Sequence, residues 1–291
     1  MPELPEVEVV RRKLEPQLTG RTIRRIVTTE PSYFFLTSPG TLKRRLRGQT
    51  VRGLVRKGKY LSLEFDSGNT LLLHLGMTGQ LFMSGASSLR LLQSTAHVAL
   101  SPEAQPTFVT DKHTHFQMYF DDDRPHMLFR DVRKFGKVKL LGTGEIDPRI
   151  AKLGTDALKA DPEALFRACK SRKTAIKNVL LDQSVLAGVG NIYADEALFA
   201  AGVRPTRRAP RVTRKECGRL IAALQRILLR SIETGGSSIS DFVNPDGEDG
   251  KFQDERRVYA RTGEPCCSCS ETIKRLVIGQ RSSHFCPHCQ S

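Results

Sequence analysis

The chain has 291 residues, 39% of them apolar and 26% charged, a balance that fits a globular protein of about two domains and excludes a disordered one. Lys and Arg total 46 against 31 Asp and Glu, a formal net charge of +15, so the molecule's field draws polyanions. Nucleic acid is the commonest polyanion and an anionic membrane surface the competing one, but no apolar run reaches the ~20 residues that span a bilayer.

The first element is a short amphipathic helix over residues 1–18, with Val7, Val10, Leu14 and Leu18 on one face and Arg11, Arg12 and Lys13 between them. It is preceded by a chemical handle. With Met1 removed, Pro2 presents a secondary amine that can attack an aldehyde carbon and form an iminium, an electron sink. Glu3 beside it can shuttle protons. Many chains begin Met-Pro, and Pro2 can simply open the helix at its first position, so the dipeptide alone favours the structural reading over catalysis. The acidic start lacks a hydrophobic stretch, so the expectation is a non-secreted, cytoplasmic protein.

Residues 20–145 read as β-rich. Tyr60–Phe65 partly alternates, Asp66-Ser67-Gly68-Asn69 is a turn, and Leu71–Leu75 resembles a buried strand. Strands at this spacing predict a sandwich or barrel. The stretch 84–111 has little periodicity and reads as a long loop. From Asp147-Pro148 to Thr234 the period turns helical: Leu220, Leu224, Ile227 and Leu228 share a face. Residues 204–230 carry nine Arg or Lys against the single acid Glu216, a concentrated share of the positive charge. Gly235-Gly236-Ser237-Ser238 and Asn244-Pro245-Asp246-Gly247 then mark a loop or linker.

Five of the seven cysteines crowd the end of the chain. Cys266-x2-Cys269, sixteen residues, then Cys286-x2-Cys289 is a four-thiolate zinc spacing. Four thiolates leave no open position, so the zinc is expected to be structural, supplying folding energy to a module too small to build a core. Ile273 and Leu276–Ile278 predict a hairpin between the pairs, with Gly279-Gln280 at its tip. Cys267 is surplus and could compete as a ligand. Arg261, Lys274, Arg275 and Arg281 surround the site and suit phosphate contacts.

Met1-Pro2-Glu3-Leu4-Pro5-Glu6-Val7-Glu8 resembles the start of the formamidopyrimidine-DNA glycosylases. Further matches follow in that family's order: Lys57–Leu61, His74–Gly79, Lys112–His115, Asp131–Gly136, Lys173–Lys177, Gly188–Ala194, then the cysteine module. The resemblance covers essentially the whole chain. It implies an α+β, two-lobed molecule: an N-terminal catalytic β-sandwich over 1–147 and a helix–two-turns–helix domain over 148–240. A lesion-capping loop over 241–256 and a zinc finger over 257–291 follow, with DNA in the cleft between the lobes.

The activity it implies is that of a bifunctional glycosylase/AP lyase of base excision repair. It would act as a monomer on double-stranded DNA carrying oxidised purines or abasic sites, with one structural zinc and no organic cofactor. The target base leaves the stack, Pro2 attacks the sugar C1′, and Glu3 is the acid/base. Lys59 matches the proton donor for β-elimination and Arg281 the arginine of δ-elimination and phosphate binding. By local pattern alone, Lys59 and Arg281 would be solvated surface charges. Met77, Arg133 and Phe135 match a trio that fills the space left by the extruded base, although Met77 and Phe135 would otherwise be read as core. His74, His113, Arg172, Lys177 and Asn191 match positions near phosphates or the lesion; Gly188-Val189-Gly190 before Asn191 suits a phosphate cradle. His115 reads as structural.

Three features depart from the family pattern: the length of 84–111, Val132 where proline is common, and Cys267. Two alternatives stay in view. An endonuclease VIII-like enzyme would prefer oxidised pyrimidines, against which Leu4 and the Arg133-x-Phe135 wedge argue. A non-catalytic damaged-DNA-binding zinc protein would lack Pro2, Glu3 or Lys59, and all three are present.

Overall fold

The computed structural model describes residues 2–86, 107–238 and 242–291. Met1, most of the long 84–111 stretch and three residues of the glycine-rich segment lie outside them. The chain divides into two compact units, Met1–Pro148 with Thr234–Gln253 and Arg149–Glu233 with Asp254–Ser291.

The first unit opens with α1 (Leu4–Leu18). Glu3 caps it in a reciprocal capping box with Glu6, and Pro5 sits in the first turn, where its missing N–H costs nothing. Val7, Val10, Leu14 and Leu18 are buried, as the 3.6-residue period requires, but Glu6, Glu8 and Val9 are buried as well. The N-terminal half of α1 is therefore enclosed on nearly every side. Two four-stranded antiparallel sheets follow. One has the order β1 (Ile23–Thr28), β6 (Thr114–Phe120), β7 (Met127–Asp131), β5 (Gly79–Met83). The other runs β2 (Val51–Lys57), β3 (Tyr60–Phe65), β4 (Thr70–His74), β8 (Lys137–Leu141).

Alternation selects the inward faces: Leu61, Leu63 and Phe65 on β3, Phe116 and Met118 on β6. Together with the apolar face of α1 they form one core. The segment read as a linker after the helical half joins this unit too. Phe242 enters the main core, and Val243 packs with Phe82, Phe108 and Leu128. Asp246 pairs with Lys13 of α1.

The second unit is mainly helical: α3 (Pro162–Ser171), α4 (Ile176–Leu181), α5 (Asn191–Ala201) and α6 (Arg214–Glu233), with one short parallel pair, β9 (Thr155–Asp156) and β10 (Leu186–Ala187). Asp161 caps α3 by accepting from the Ala164 N–H at 3.0 Å, and Thr213 and Glu216 form a second capping box at α6. The α5 helix is buried almost all round and ends at Gly202 in the left-handed conformation. The predicted zinc hairpin is present as β11 (Lys274–Ile278) and β12 (Arg281–Phe285). Gly279 and Gln280, both with positive φ, turn it.

Candidate functional site

In the first unit the reactive candidates lie at the start of α1 and in the β2–β3 turn. Pro2 and Glu3 are buried, and the Glu3 N–H donates to Glu6 Oε2 at 2.8 Å. The other carboxylate oxygen of Glu6 accepts the Ser237 N–H at 2.9 Å. Glu6 thus joins the N-terminus to the Gly235–Ser238 stretch that leads into the segment expected to cap the lesion. Lys59, 8% exposed, occupies the two-residue turn between β2 and β3 rather than a strand.

A second acid ties that turn to α1. Glu8 accepts from Arg56 at 2.9 Å, and Arg56 donates to the Gly58 carbonyl at 3.0 Å, immediately before Lys59. Arg11 and Arg12 also converge on Glu8. Burial by itself would raise the Glu8 pKa, but the three guanidinium groups outweigh it and hold it down at about 2. Sequence reading missed Arg56 and its pairing with Glu8, a residue noted only as part of the opening motif. Each looks like an ordinary helix or strand charge, and only the tertiary fold brings them together.

The space-filling candidates form one edge. Met77 and Phe135 are 36% and 43% exposed, so neither is a core residue. A Cβ on Gly76 would lie 2.5 Å from the Gly136 nitrogen; only glycine lets the β4–β5 turn approach the 131–136 turn this closely. Buried Asp131 organises the second turn, accepting from Thr78, the Arg133 N–H and, at 2.7 Å, the Gly136 N–H. The Arg133 guanidinium lies over the Phe135 ring, 4.8 Å from its centroid.

His74 ends β4, with Nδ1 accepting the Gly76 N–H at 3.1 Å, and its ring meets Tyr60 at 4.7 Å. The His113 carbonyl accepts the Asp131 N–H at 2.9 Å, which places this histidine beside the same edge; burial lowers its pKa. His115 is structural. Its Nε2 donates to the Asp131 carbonyl at 2.9 Å, and Nδ1 accepts from Thr29 at 3.2 Å.

In the second unit, Arg172 ends α3 and pairs with Asp182 at 3.1 Å. Lys177 was expected beside DNA, yet its side chain is 0% exposed. Its ammonium binds Asp195 at 2.6 Å and donates to the Ser282 carbonyl at 2.7 Å. An ammonium without exposed surface meets no phosphate, so a direct-contact role for Lys177 gives way to one of support. Asn191 donates to the same carbonyl at 2.9 Å, and among the described residues its buried Oδ1 meets no donor. Asp195 also accepts the His284 N–H at 2.9 Å and its Nδ1–H at 3.1 Å. The hairpin residue following Arg281 is thereby held by α4 and α5, while Arg281 itself is exposed at the start of β12. Asp195 is a further residue that no local signal disclosed.

Cys266, Cys269, Cys286 and Cys289 place their sulfurs within 4.8 Å of one another, three of the pairs at 3.4, 3.5 and 3.9 Å. A tetrahedron of sulfurs about 2.3 Å from zinc has edges of about 3.8 Å, so the donor set fits that ion. The Ser268 and Cys289 N–H groups each donate to a ligand sulfur at 3.4 Å. Cys267 points outward, is exposed, and is not among the converging four.

Three family models match the chain in order. They are the formamidopyrimidine-DNA glycosylase N-terminal domain at 1–138, the H2TH domain of the same glycosylases at 153–243, and the zinc finger found in FPG and IleRS at 263–291. The formamidopyrimidine-DNA glycosylase of Thioalkalivibrio sulfidiphilus is 42% identical over 293 residues, covering all of both chains. A solved complex of a Lactococcus lactis FPG mutant with Fapy-dG-containing DNA matches with TM-score 0.85 and 34% identity over the whole of both chains. A complex of the Lactococcus lactis protein with abasic-site DNA matches with TM-score 0.84 and 34% identity, covering 99% of each chain.

Proposed function

This chain belongs to the formamidopyrimidine-DNA glycosylase family, and on that premise we propose how its own residues carry the reaction. It is a DNA glycosylase of base excision repair with the family's AP lyase activity, a structural zinc and duplex DNA as its partner.

The reading assigned to its residues starts at Pro2, which requires loss of Met1. The Pro2 nitrogen attacks C1′ of an extruded oxidised purine nucleotide. The N-glycosidic bond breaks, its electrons leave with the base, and opening of the sugar ring gives the iminium. Glu3 moves the protons this step needs. The iminium acidifies C2′–H. Loss of that proton breaks the bond from C3′ to its phosphate, with Lys59 supplying a proton to the departing oxygen. A second elimination breaks the C5′–oxygen bond with Arg281 on the phosphate, leaving a one-nucleotide gap flanked by phosphates. Met77, Arg133 and Phe135 occupy the space the base vacates, Arg133 facing the orphaned partner. His74, His113, Arg172 and Asn191 serve phosphates or lesion, whereas Lys177 acts through the Ser282 carbonyl it holds. The zinc, on Cys266, Cys269, Cys286 and Cys289, supplies rigidity to the hairpin.

The observation that carries this reading is the Glu8–Arg56–Gly58 chain of contacts, which fixes the lysine turn to the helix that directly follows the proposed reactive amine. Borohydride trapping on 8-oxoguanine and abasic duplexes tests it: a covalent adduct with Met1-processed protein is expected, and its absence refutes the Schiff base. Preferential release of thymine glycol over 8-oxoguanine would move the substrate class to oxidised pyrimidines. The same reading makes the enzyme a cytoplasmic monomer. Among the described residues no helix is long and apolar enough to cross a membrane.

A further inference from the structure

One exposed aromatic in the first unit is tied to the Arg133 turn without having been part of any motif. Tyr33 lies between β1 and α2 (Pro39–Leu46) and is 58% exposed. Its hydroxyl donates to the Arg133 carbonyl at 3.0 Å. Its backbone position is firm, because the next two residues are core: Phe34 meets the Phe129 ring at 4.9 Å, and the Phe34 carbonyl accepts the Val138 N–H at 3.0 Å. The Lys137 ammonium lies 4.7 Å from the Tyr33 ring centroid and donates to the Gly136 carbonyl at 3.1 Å. The ring is thus fixed at the chain, on one face and at its hydroxyl.

Arg133 is correspondingly held at both polar groups of its backbone. Its N–H donates to Thr78 Oγ1 at 3.2 Å and to Asp131 Oδ1 at 3.3 Å, and its carbonyl accepts from Tyr33. The next residue, Lys134, has φ +56, a left-handed conformation that costs a non-glycine residue free energy and persists only where its surroundings enforce it. Two of those restraints come from buried residues, Thr78 and Asp131. The third comes from Tyr33, on the solvent side of the turn.

We propose that Tyr33 is a positioning residue that aims Arg133 and so sets discrimination for the base opposite the lesion. This rests on the reading that Arg133 faces the orphaned base. A guanidinium reading a base edge depends on direction, and a peptide free to rotate at its carbonyl lets the side chain sample poses that satisfy either partner.

The test measures single-turnover base release from 8-oxoguanine paired with cytosine and with adenine, using the full chain as wild type, Tyr33→Phe, Arg133→Ala and the double variant. Tyr33→Phe removes one hydroxyl from an exposed ring. It is expected to lower the cytosine-over-adenine ratio about three- to tenfold, the scale of one neutral hydrogen bond, with no further loss when added to Arg133→Ala. Retained borohydride trapping on an abasic duplex separates this from misfolding. If Arg133→Ala lowers the ratio and Tyr33→Phe leaves it unchanged, the proposal is overturned while the Arg133 reading stands. An equal Tyr33→Phe effect in the Arg133→Ala background overturns it as well. If Arg133→Ala itself leaves the ratio unchanged, the Arg133 reading fails and this proposal with it.

Discussion

Pro2, the proposed nucleophile, and Glu8, which pairs with Arg56 of the lysine turn, are six residues apart on the same stretch of chain. Pro2→Gly is expected to lower base excision by more than about a hundredfold, the scale on which removing a nucleophile acts, while lesion-DNA binding changes little. Band-shift and base-release assays on one preparation check this, and parallel loss of both would indicate a folding defect. Glu8 makes its contribution through stability. Its folded pKa of about 2 lies below the ordinary value of 4.5, so its ion pairs stabilise the fold fully above about pH 4.5 and are lost as pH falls toward 2. The difference corresponds to roughly 3 kcal/mol. Denaturant titrations across that window should show wild type losing more stability than Glu8→Gln. Pro2, Glu3 and Lys59 were singled out because a motif gives each a proposed role; Glu8 stands in the same opening motif, but its pairing with Arg56 was not legible, because it joins residues 48 positions apart.

The β11–β12 hairpin is the element whose sequence signature and geometry agree most fully: paired cysteines, strand formers and a Gly-Gln tip appear where the spacing put them. Its anchoring was hidden, since nothing local tells a buried Lys177 from an exposed one. Lys177→Met leaves Asp195 as a buried charge short of its cation, which is expected to cost about 3–5 kcal/mol. Thermal unfolding compared with Lys173→Met, a surface control, measures it. Chelating the zinc is expected to unfold the hairpin and abolish DNA binding, because Arg281 loses its position. Tight binding by protein shown to be metal-free would contradict this. The β-rich and helical halves were legible from periodicity. The return of Phe242 and Val243 to the first core was not, because two apolar residues inside a polar stretch have no period.

Across the whole molecule the charge of +15 acts collectively. The observed association constant is expected to fall with salt, log against log, by about 0.9 per phosphate neutralised. Arg281→Ala should reduce that slope by about 1 if it meets one phosphate, as titrations at several salt concentrations would show. The chain's order of synthesis adds a different constraint. Because Thr234–Gln253 belongs to the first unit, that unit is interrupted by the helical segment Arg149–Glu233. On a ribosome adding about 5–20 residues per second, its core waits roughly 5–20 s after residue 148 has been made before Phe242 can enter. Until then the nascent sandwich lacks one of its core side chains and leaves the apolar surface that Phe242 covers open to water.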